Sequence, residues 1–259
     1  MDKRITLPIT KIITEATDIK TFGFEYDLKA KPGQFIMLTD FGKGEKPFSL
    51  ADCTKTEFFI TIKQIGDFTT RLFQKDVGDL ISIRGPYGSS FFISQGNVLL
   101  IGGGFATPPL YFLSKELLKI GTKITVINGA KTNQQLIFSD RFEQLELNYM
   151  STTQFGAHGN GTAVDRTKKL LKKEQFDYLY ASGPEMMLNA LSTILKDDEY
   201  EFLLERYMKC AVGICGSCTL DPIGIRLCME GPVLPKRIVE QLTEFGKYHR
   251  DASGMRIKF

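Results

Sequence analysis

Residues 97–104 read Asn-Val-Leu-Leu-Ile-Gly-Gly-Gly and indicate the fold of the central part of the chain. The apolar run 97–101 is typical of a buried strand, and the three glycines predict a tight turn after it. Pro108–Ile120 follows at helical spacing, with prolines where a first helical turn accepts them. A glycine turn between strand and helix is typical of a pyrophosphate site, but by itself an ordinary tight turn is an equal alternative.

Strand and helix patterns alternate from this turn towards the C-terminus. Further elements are predicted as strands at Lys123–Asn128, Tyr149–Thr153 and Phe176–Ala181, and as helices at Leu136–Leu145, Asp165–Lys173 and Glu185–Lys196. Four alternations predict a parallel sheet covered on both faces. A second glycine turn, Ser182-Gly183-Pro184, ends the fourth strand at the same edge of that sheet. Two such turns favour a nucleotide site there.

The first 95 residues have the pattern of a small antiparallel barrel. Short β-prone runs are separated by turns such as Lys31-Pro32-Gly33, and Phe68–Lys75 is predicted as a short helix. The predicted strands are Ile5–Ile13, Ile19–Tyr26, Gln34–Thr39, Glu57–Gln64 and Leu80–Arg84. Several short strands with turns between them are typical of a barrel. Near the other end, Pro235–Gly246 is predicted as a helix.

Four of the five cysteines share one short stretch, and Cys53 stands alone. The clustered cysteines are Cys210, Cys215, Cys218 and Cys228. Their spacing is that of plant-type ferredoxins with a short final gap, which indicates a [2Fe–2S] cluster. Gly213, Gly216 and Ser217 leave room for backbone N–H groups to face the sulfurs. A four-cysteine zinc site is the alternative, although zinc ribbons usually pair two C-x-x-C knuckles and one is present here.

Composition excludes some classes of function. Hydrophobic residues make up 42% and charged residues 24%, as in globular proteins. The net charge of +3 argues against nucleic-acid binding, which needs a dense basic surface.

We predict no membrane span and, from the charged first 25 residues, no signal peptide and a cytoplasmic location. His158 and His249 lie in no motif and are expected at the surface.

The segment Lys46-Pro47-Phe48-Ser49 resembles the Arg-x-Tyr-Ser motif, in its Arg-Pro-Phe-Ser variant, of ferredoxin–NADP reductase-like flavin barrels. The order continues with Arg84-Gly85-Pro86-Tyr87-Gly88 and the two glycine turns. A more specific resemblance comes from the C-terminal stretch, which reads Glu205-x-x-Met208-x-Cys210 and has Gly231-Pro232-Val233 after the last cysteine. It is similar to the electron-transfer subunits of type B dihydroorotate dehydrogenase.

This resemblance implies a multi-domain β plus α/β fold and three cofactors. An antiparallel β-barrel over 1–95 would bind FAD, a parallel-sheet α/β domain over 96–200 would bind NAD, and a small domain over 201–259 would hold the [2Fe–2S] cluster. Phe48 would lie beside the isoalloxazine, and the Ser49 hydroxyl would act catalytically near flavin N5. The implied cofactor-binding residues are Lys46, Pro47, Phe48, Ser49, Ile62, Lys63, Gly66, Phe68, Thr69, Thr70, Gly102, Gly103, Gly104, Ser182, Gly183 and Pro184.

Three residues depart from the family pattern. Lys46 keeps the positive charge of the usual arginine but lacks the planar guanidinium that can bind two oxygens at once. Phe68 replaces the second glycine of a Gly-x-Gly-Thr stretch that holds the pyrophosphate, and we expect it to crowd that approach. Ser182 replaces a cysteine that many relatives place near the nicotinamide. We therefore expect weaker FAD binding and an altered nicotinamide pocket.

The resemblance also implies a function and a partner. The chain would carry electrons from an FMN-containing catalytic subunit, which oxidises dihydroorotate in pyrimidine biosynthesis, through the cluster and FAD to NAD. The flavin stands between the other two groups because hydride chemistry moves two electrons and the cluster one. A heterotetramer with two copies of each subunit is expected. An apolar rim around Cys215, made of Met208, Val212, Ile214 and Leu220, would suit docking, with ordinary packing as the alternative.

Two other functions remain open. A subunit of an NAD(P)H:ferredoxin reductase or a sulfide dehydrogenase would have the same build and cofactors. A cluster-bearing regulatory module without turnover belongs to another class. Lys131, just after the second strand of the α/β domain, could meet the 2′-phosphate of NADP or be an ordinary loop lysine, so NAD and NADP are not distinguished.

Overall fold

The computed structural model describes residues 4–155 and 161–259, so His158 lies outside the described residues. It contains a seven-stranded antiparallel sheet, a six-stranded mostly parallel sheet and a C-terminal region with two small hairpin-like sheets. This arrangement confirms the predicted fold class. Across both described ranges, no helix is long and apolar enough to cross a bilayer.

The strands are β1 (Ile5–Pro8), β2 (Lys11–Ala16), β3 (Ile19–Glu25), β4 (Phe35–Asp40), β5 (Gly44–Cys53), β6 (Glu57–Lys63), β7 (Leu80–Tyr87), β8 (Asn97–Gly103), β9 (Lys123–Ala130), β10 (Asn148–Thr153), β11 (Tyr178–Ser182), β12 (Tyr200–Leu203), β13 (Thr219–Leu220), β14 (Ile225–Arg226), β15 (Val233–Pro235), β16 (Tyr248–Arg250) and β17 (Arg256–Lys258). The helices are α1 (Asp67–Phe73), α2 (Pro108–Lys119), α3 (Ser139–Glu143), α4 (Ala163–Leu170), α5 (Glu185–Ile194), α6 (Leu227–Glu230) and α7 (Lys236–Val239).

The N-terminal sheet is an open half-barrel in the order β1-β7-β4-β5-β6-β3-β2. Its inner face buries a core of Phe, Ile and Leu side chains, among them Phe22, Phe24 and Phe58. The predicted single strand Ile5–Ile13 is two strands. β1 pairs with β7 and β2 pairs with β3, because the chain passes from one edge of the sheet to the other at Ile9 and Thr10.

Strand β5 was not predicted, although it carries the Lys46–Ser49 segment. Its charged first residues and Pro47 hide the β pattern. The strand changes partner along its length: Gly44–Ser49 pairs with β4, and Leu50–Cys53 pairs with β6. β5 and β6 therefore separate at the motif, and a groove opens between them.

The second sheet has the order β10-β9-β8-β11-β12-β15. Besides the four predicted strands, the sheet contains two more. β12 is a fifth parallel strand, and β15 pairs antiparallel with β12. β12 is short and interrupted by Glu201, so its strand pattern is weak in the sequence. Because β12 starts at Tyr200, this sheet continues past the predicted boundary at residue 200.

The predicted helix Pro235–Gly246 forms only over the four residues of α7. The Thr243 N–H donates to the carbonyl of Asp221 in a different part of the chain, and Gly246 adopts a left-handed conformation with φ of 69°. These contacts fold the segment onto the part of the chain that contains the clustered cysteines, residues 210–228, called the cysteine region below. That region shares one hydrophobic core with the parallel sheet, and the core includes Cys218 and Cys228.

Candidate functional site: a groove beside a cysteine loop

A groove of about 570 Å³ lies where the half-barrel, the glycine turn after β8 and the C-terminal region meet. The predicted flavin residues on its wall are Pro47, Phe48, Ser49, Ile62, Lys63 and Thr69. Phe105 and Ala106 of the 3₁₀ turn after Gly103 also line the groove. The volume is within the range of ligand pockets, and the lining is mainly apolar with a few polar groups.

Phe68 was expected to crowd the approach to the pyrophosphate, but its side chain does not line the groove. Its ring is buried in the barrel core and stacks on Phe48, with ring centroids 6.1 Å apart. Position Gly66 faces open space. Thr69 closes the turn, because its hydroxyl accepts the N–H groups of Ile65 and Gly66. Helix α1 turns its second residue inwards, which a motif comparison along the chain does not reveal.

Lys46 and Thr70 lie beside the groove. The Lys46 ammonium lies over the ring of Tyr207, 5.0 Å from its centroid, and Tyr207 lines the groove. The Thr70 hydroxyl is 3.2 Å from the amide of Gln64. The charge of Lys46 is thus held at the groove's edge by a cation–π contact instead of the forked contacts that an arginine makes.

The two glycine turns touch each other at the carboxyl edge of the parallel sheet. A Cβ on Gly183 would lie 3.2 Å from the Cα of Gly103, and one on Gly103 would lie 3.0 Å from Pro184. A Cβ on Gly102 would strike Thr107. These glycines serve close packing, whereas Gly104, with φ of 59°, faces open space next to Phe105.

Ser182 is fully buried, and its hydroxyl donates to the carbonyl of Ala106 at 2.7 Å. Ala106 lines the groove, so this hydrogen bond ties the second glycine turn to the groove wall. The side chain of Ser182 therefore has a structural partner instead of facing the cavity.

Several groove residues were not predicted from the sequence. Glu205 lines the groove, and its side chain is exposed there. Arg206 forms a buried, two-bond ion pair with Glu185, the first residue of α5, at 2.6 Å for each bond. His249 was expected at the surface but is half-buried against Phe259, and both line the groove. Glu205 is the first residue of the C-terminal motif Glu205-x-x-Met208-x-Cys210, and this motif is the one sequence signal that could have identified it as a groove residue.

The cysteine loop begins two residues after the groove residue Met208. Two hydrogen bonds from a backbone N–H to a sulfur link the four cysteines in pairs. The N–H of Cys215 donates to Sγ of Cys210 at 3.5 Å, and the N–H of Cys228 donates to Sγ of Cys218 at 3.4 Å. Within the described residues, no three His, Cys, Asp or Glu side chains are grouped to hold a single metal ion.

The loop supplies donors to its own sulfurs. The hydroxyl and N–H of Ser217 hydrogen-bond Cys215, and these contacts lower the pKa of that thiol to about 6. Burial, the largest effect at Cys228, raises the pKa of that thiol, and the backbone of Gly213 opposes the shift by a hydrogen bond. Gly213 and Gly216 have φ of 73° and 69°. The small residues thus turn the backbone towards the sulfurs, as predicted.

The predicted apolar rim around Cys215 is only partly present. Met208 and Leu220 are buried in the core, because the loop folds back over them. Val212 is half-buried, whereas Ile214 is 84% exposed beside the exposed Cys215. Met229 is also exposed, and it packs close to Gly213. The exposed apolar side chains of the loop and the residue after it therefore include Ile214 and Met229, and Ile223 is exposed to a smaller extent.

Comparisons with known proteins agree with this geometry. Residues 205–240 match the iron-sulfur cluster binding domain of dihydroorotate dehydrogenase B. A protein named "Probable dihydroorotate dehydrogenase B (NAD(+)), electron transfer subunit" from Methanothermobacter thermautotrophicus is 40% identical over 258 residues, which cover 97% of this chain and 96% of the relative. A protein of the same name from Pyrococcus horikoshii is 41% identical over 259 residues, which cover 100% and 99%.

A solved structure of an NADH-dependent reduced ferredoxin-NADP oxidoreductase, studied for flavin-based electron bifurcation, has the same architecture. It superposes with a TM-score of 0.82 at 29% identity, covering 91% of this chain and 89% of that chain. The groove at the barrel edge, the paired cysteines and this similarity over almost the whole length have one explanation. The chain belongs to the family of electron transfer subunits of NAD-dependent dihydroorotate dehydrogenase B.

Proposed function

We propose that this chain carries electrons between a dihydroorotate-oxidising catalytic subunit and NAD, with FAD and one [2Fe–2S] cluster as its redox groups. The observation that carries the proposal is the continuity of the two sites. Residues 204–208 line the groove, and the first cysteine of the loop is residue 210. Arg206 and Tyr207 also border the space beside Ser217 and Cys218. Groups bound in the groove and in the loop would therefore be close neighbours.

The groove fits the flavin. When bound, FAD supplies the exchange between two-electron hydride chemistry and one-electron transfer. Phe48 gives an apolar wall, and Ser49 places a hydroxyl at the cavity. Lys63 lines the groove, with its ammonium 5.6 Å from the ring centroid of Phe105 and 3.5 Å from the carboxylate of Asp18. Lys46 and Lys63 are cations suited to a phosphate-bearing ligand, and we propose that Gly66, Phe68, Thr69 and Thr70 form the turn that receives the FAD pyrophosphate through its backbone.

The loop fits a two-iron cluster better than a single zinc ion. In a [2Fe–2S] cluster with four thiolates, the ligands divide two and two between the irons. The hydrogen-bonded pairs Cys210–Cys215 and Cys218–Cys228 have this division. A structural zinc ion needs all four sulfurs around one point. We therefore propose these four cysteines as the cluster ligands.

We propose that NAD binds at the two touching glycine turns, Gly102–Gly104 and Ser182–Pro184. They lie at the carboxyl edge of the parallel sheet, which is where open α/β sheets bind ligands. The turn after β8 leads directly into Phe105 and Ala106 on the groove wall. A nicotinamide placed from this edge would reach the groove beside Ser49, the residue we propose to position the flavin for hydride exchange.

The partner would dock at the exposed side of the cysteine loop. Ile214 and Met229 offer apolar surface there, and Cys215 is the exposed ligand. We propose an FMN-containing catalytic subunit of dihydroorotate dehydrogenase as this partner, in a cytoplasmic heterotetramer with two copies of each chain. The ranges 1–95, 96–200 and 201–259 are proposed as the FAD, NAD and cluster domains, with β12 crossing the second boundary.

A second candidate, an NAD(P)H:ferredoxin reductase subunit, is favoured by one observation. The solved structure at 29% identity is of an NADH-dependent ferredoxin-NADP oxidoreductase. The two functions share every cofactor and differ in the partner. Binding of the purified chain to a dihydroorotate dehydrogenase catalytic subunit and to a ferredoxin, compared side by side, distinguishes them.

Cofactor analysis of the purified chain tests the proposal. We expect stoichiometric FAD after acid extraction, two irons and two sulfides per chain, and an EPR signal from the cluster after anaerobic addition of NADH. FMN as the only flavin would refute the FAD assignment. Zinc without iron would refute the cluster assignment.

A further inference from the structure

Arg84 occupies a junction between the half-barrel and the cysteine loop. It lies on β7, at the start of the Arg84-Gly85-Pro86-Tyr87-Gly88 stretch, to which the sequence analysis assigns no separate role. Its Nη2 donates to the backbone carbonyl of Cys210 at 2.9 Å. The same guanidinium forms a forked pair with Glu45, with Nε and Nη2 at 2.9 and 2.5 Å from the carboxylate oxygens.

The junction is rigid and largely shielded from water. The side chains of Arg84 and Glu45 are 14% and 16% exposed. Glu45 also accepts a hydrogen bond from the Thr39 hydroxyl at 2.8 Å, and the Tyr87 hydroxyl lies 3.1 Å from Nη1 of Arg84. A forked pair held from both sides fixes the position of the guanidinium. Glu45 lies next to Lys46 on β5, so the junction is continuous with the proposed flavin strand.

The cysteine loop turns sharply where Arg84 holds it. Ala211 adopts a left-handed conformation with φ of 61°, which is uncommon for a residue other than glycine. Such a conformation persists where the surroundings fix it. The Cys210 carbonyl, immediately before this turn, is the group that accepts from Arg84.

We propose that Arg84 is a positioning residue that fixes the first cluster ligand against the flavin strand and that its charge raises the reduction potential of the cluster. This inference rests on the proposed function. Reduction adds one electron, and hence one negative charge, to the cluster. A buried cation bonded to a ligand's carbonyl stabilises that more negative form, because net charge and nearby hydrogen bonds set the potentials of such clusters.

Arg226 shows by contrast what is particular to Arg84. It also donates to a loop carbonyl, that of Gly213 at 3.2 Å, and it also pairs with a glutamate, Glu230. However, Glu230 is four residues away in sequence, and the side chain of Arg226 is 43% exposed. This second contact stays within the cysteine region, whereas Arg84 joins two regions that are 126 residues apart in the chain.

The test compares Arg84→Met and Arg84→Lys with Arg141→Met. Arg141 forms a half-buried ion pair with Glu15 at 2.6 Å and packs on Phe138, so it controls for the loss of a long-range Arg–Glu pair away from the cysteine loop. The readout is the cluster's midpoint potential, from an EPR-monitored redox titration of each purified chain. For Arg84→Met we expect the reduction equilibrium to fall about tenfold, which is about 59 mV for one electron.

Arg84→Lys keeps the positive charge, so we expect a cluster potential close to that of the unaltered chain. Because lysine cannot form the two-bond pair with Glu45, the loop is held less firmly, and we expect slower reduction of the cluster by NADH. Arg141→Met should leave the potential unchanged. If Arg84→Met does not retain its cluster, Glu45→Gln replaces it in the titration; this variant removes the negative charge that neutralises Arg84, so its potential is expected to rise. An unaltered potential in a cluster-containing Arg84→Met or Glu45→Gln chain would overturn the inference. Absence of iron from the unaltered chain would instead overturn the proposed function.

Discussion

The cysteine loop and the groove proposed for the flavin are neighbouring sites that are built in opposite ways. All four cysteines proposed as ligands come from residues 210–228, and they are paired by hydrogen bonds within that stretch. The groove takes its walls from β5, β6, the turn after β8 and the last residues of the chain. A local site depends wholly on a few side chains, and a site assembled over long distances depends on many small contributions. The two sites should therefore respond differently to single substitutions.

The largest effect is expected at the loop. Cys228→Ser should abolish the cluster, because Cys228 is buried and no other thiol can take its place. Iron content and the EPR signal after reduction should be lost, while bound FAD is retained. Cys53→Ser is the matched control: Cys53 lies at the end of β5 and should leave iron content unchanged. Loss of FAD together with the cluster would show that the two sites are not independent.

A smaller, partial effect is expected in the groove. Ser49→Ala removes the hydroxyl proposed to face flavin N5, and loss of one hydrogen bond aimed at a reacting atom costs about two to three orders of magnitude in rate. NADH-dependent dye reduction, measured by stopped flow, should fall by that factor while FAD and the cluster stay bound. Ser192→Ala is the control, since its hydroxyl donates to the Asn189 carbonyl within its own helix, α5. Equal rates in both variants would remove Ser49 from the mechanism.

The smallest effect is expected in the frame that supports both sites. Glu201 of β12 is buried and accepts the N–H of Phe92 at 2.8 Å, and burial raises the pKa of its carboxyl from 4.5 to about 7. Between these values the folded state binds more protons than the unfolded state, so this carboxyl costs stability as pH rises through that window. Glu201→Gln keeps the acceptor and should increase stability by about 2 kcal/mol at about pH 8.

At about pH 5 the same variant should be close to the unaltered chain in stability, since Glu201 is then mostly protonated in the folded state. Thermal unfolding at both pH values measures the difference. A gain of equal size at both values would contradict a raised pKa for Glu201. Potentials and dye-reduction rates should not change, because the residue contacts neither site.

The same contrast explains what could be predicted from the sequence. The cysteine spacing, the central strand and the glycine turns are local patterns that can be read from the sequence, and the structure places the central strand and both turns where they were expected. That the cysteines hold a cluster stays a prediction. Strand β5 was missed because Pro47 and charged residues obscure its β pattern, and it is stabilised by pairing with β4 and β6. Glu205, His249 and Phe259 reach the groove only through tertiary folding. The orientation of Phe68 into the barrel likewise depends on how α1 packs.

The central claim is that this chain links dihydroorotate oxidation to NAD through the loop and the groove together. The most direct test is NADH formation from dihydroorotate and NAD in a mixture of the purified chain and a dihydroorotate dehydrogenase B catalytic subunit. We predict that NADH forms only when both proteins are present and that Cys228→Ser abolishes it. Orotate formation by the isolated chain, or NADH formation that persists without the cluster, would contradict the claim.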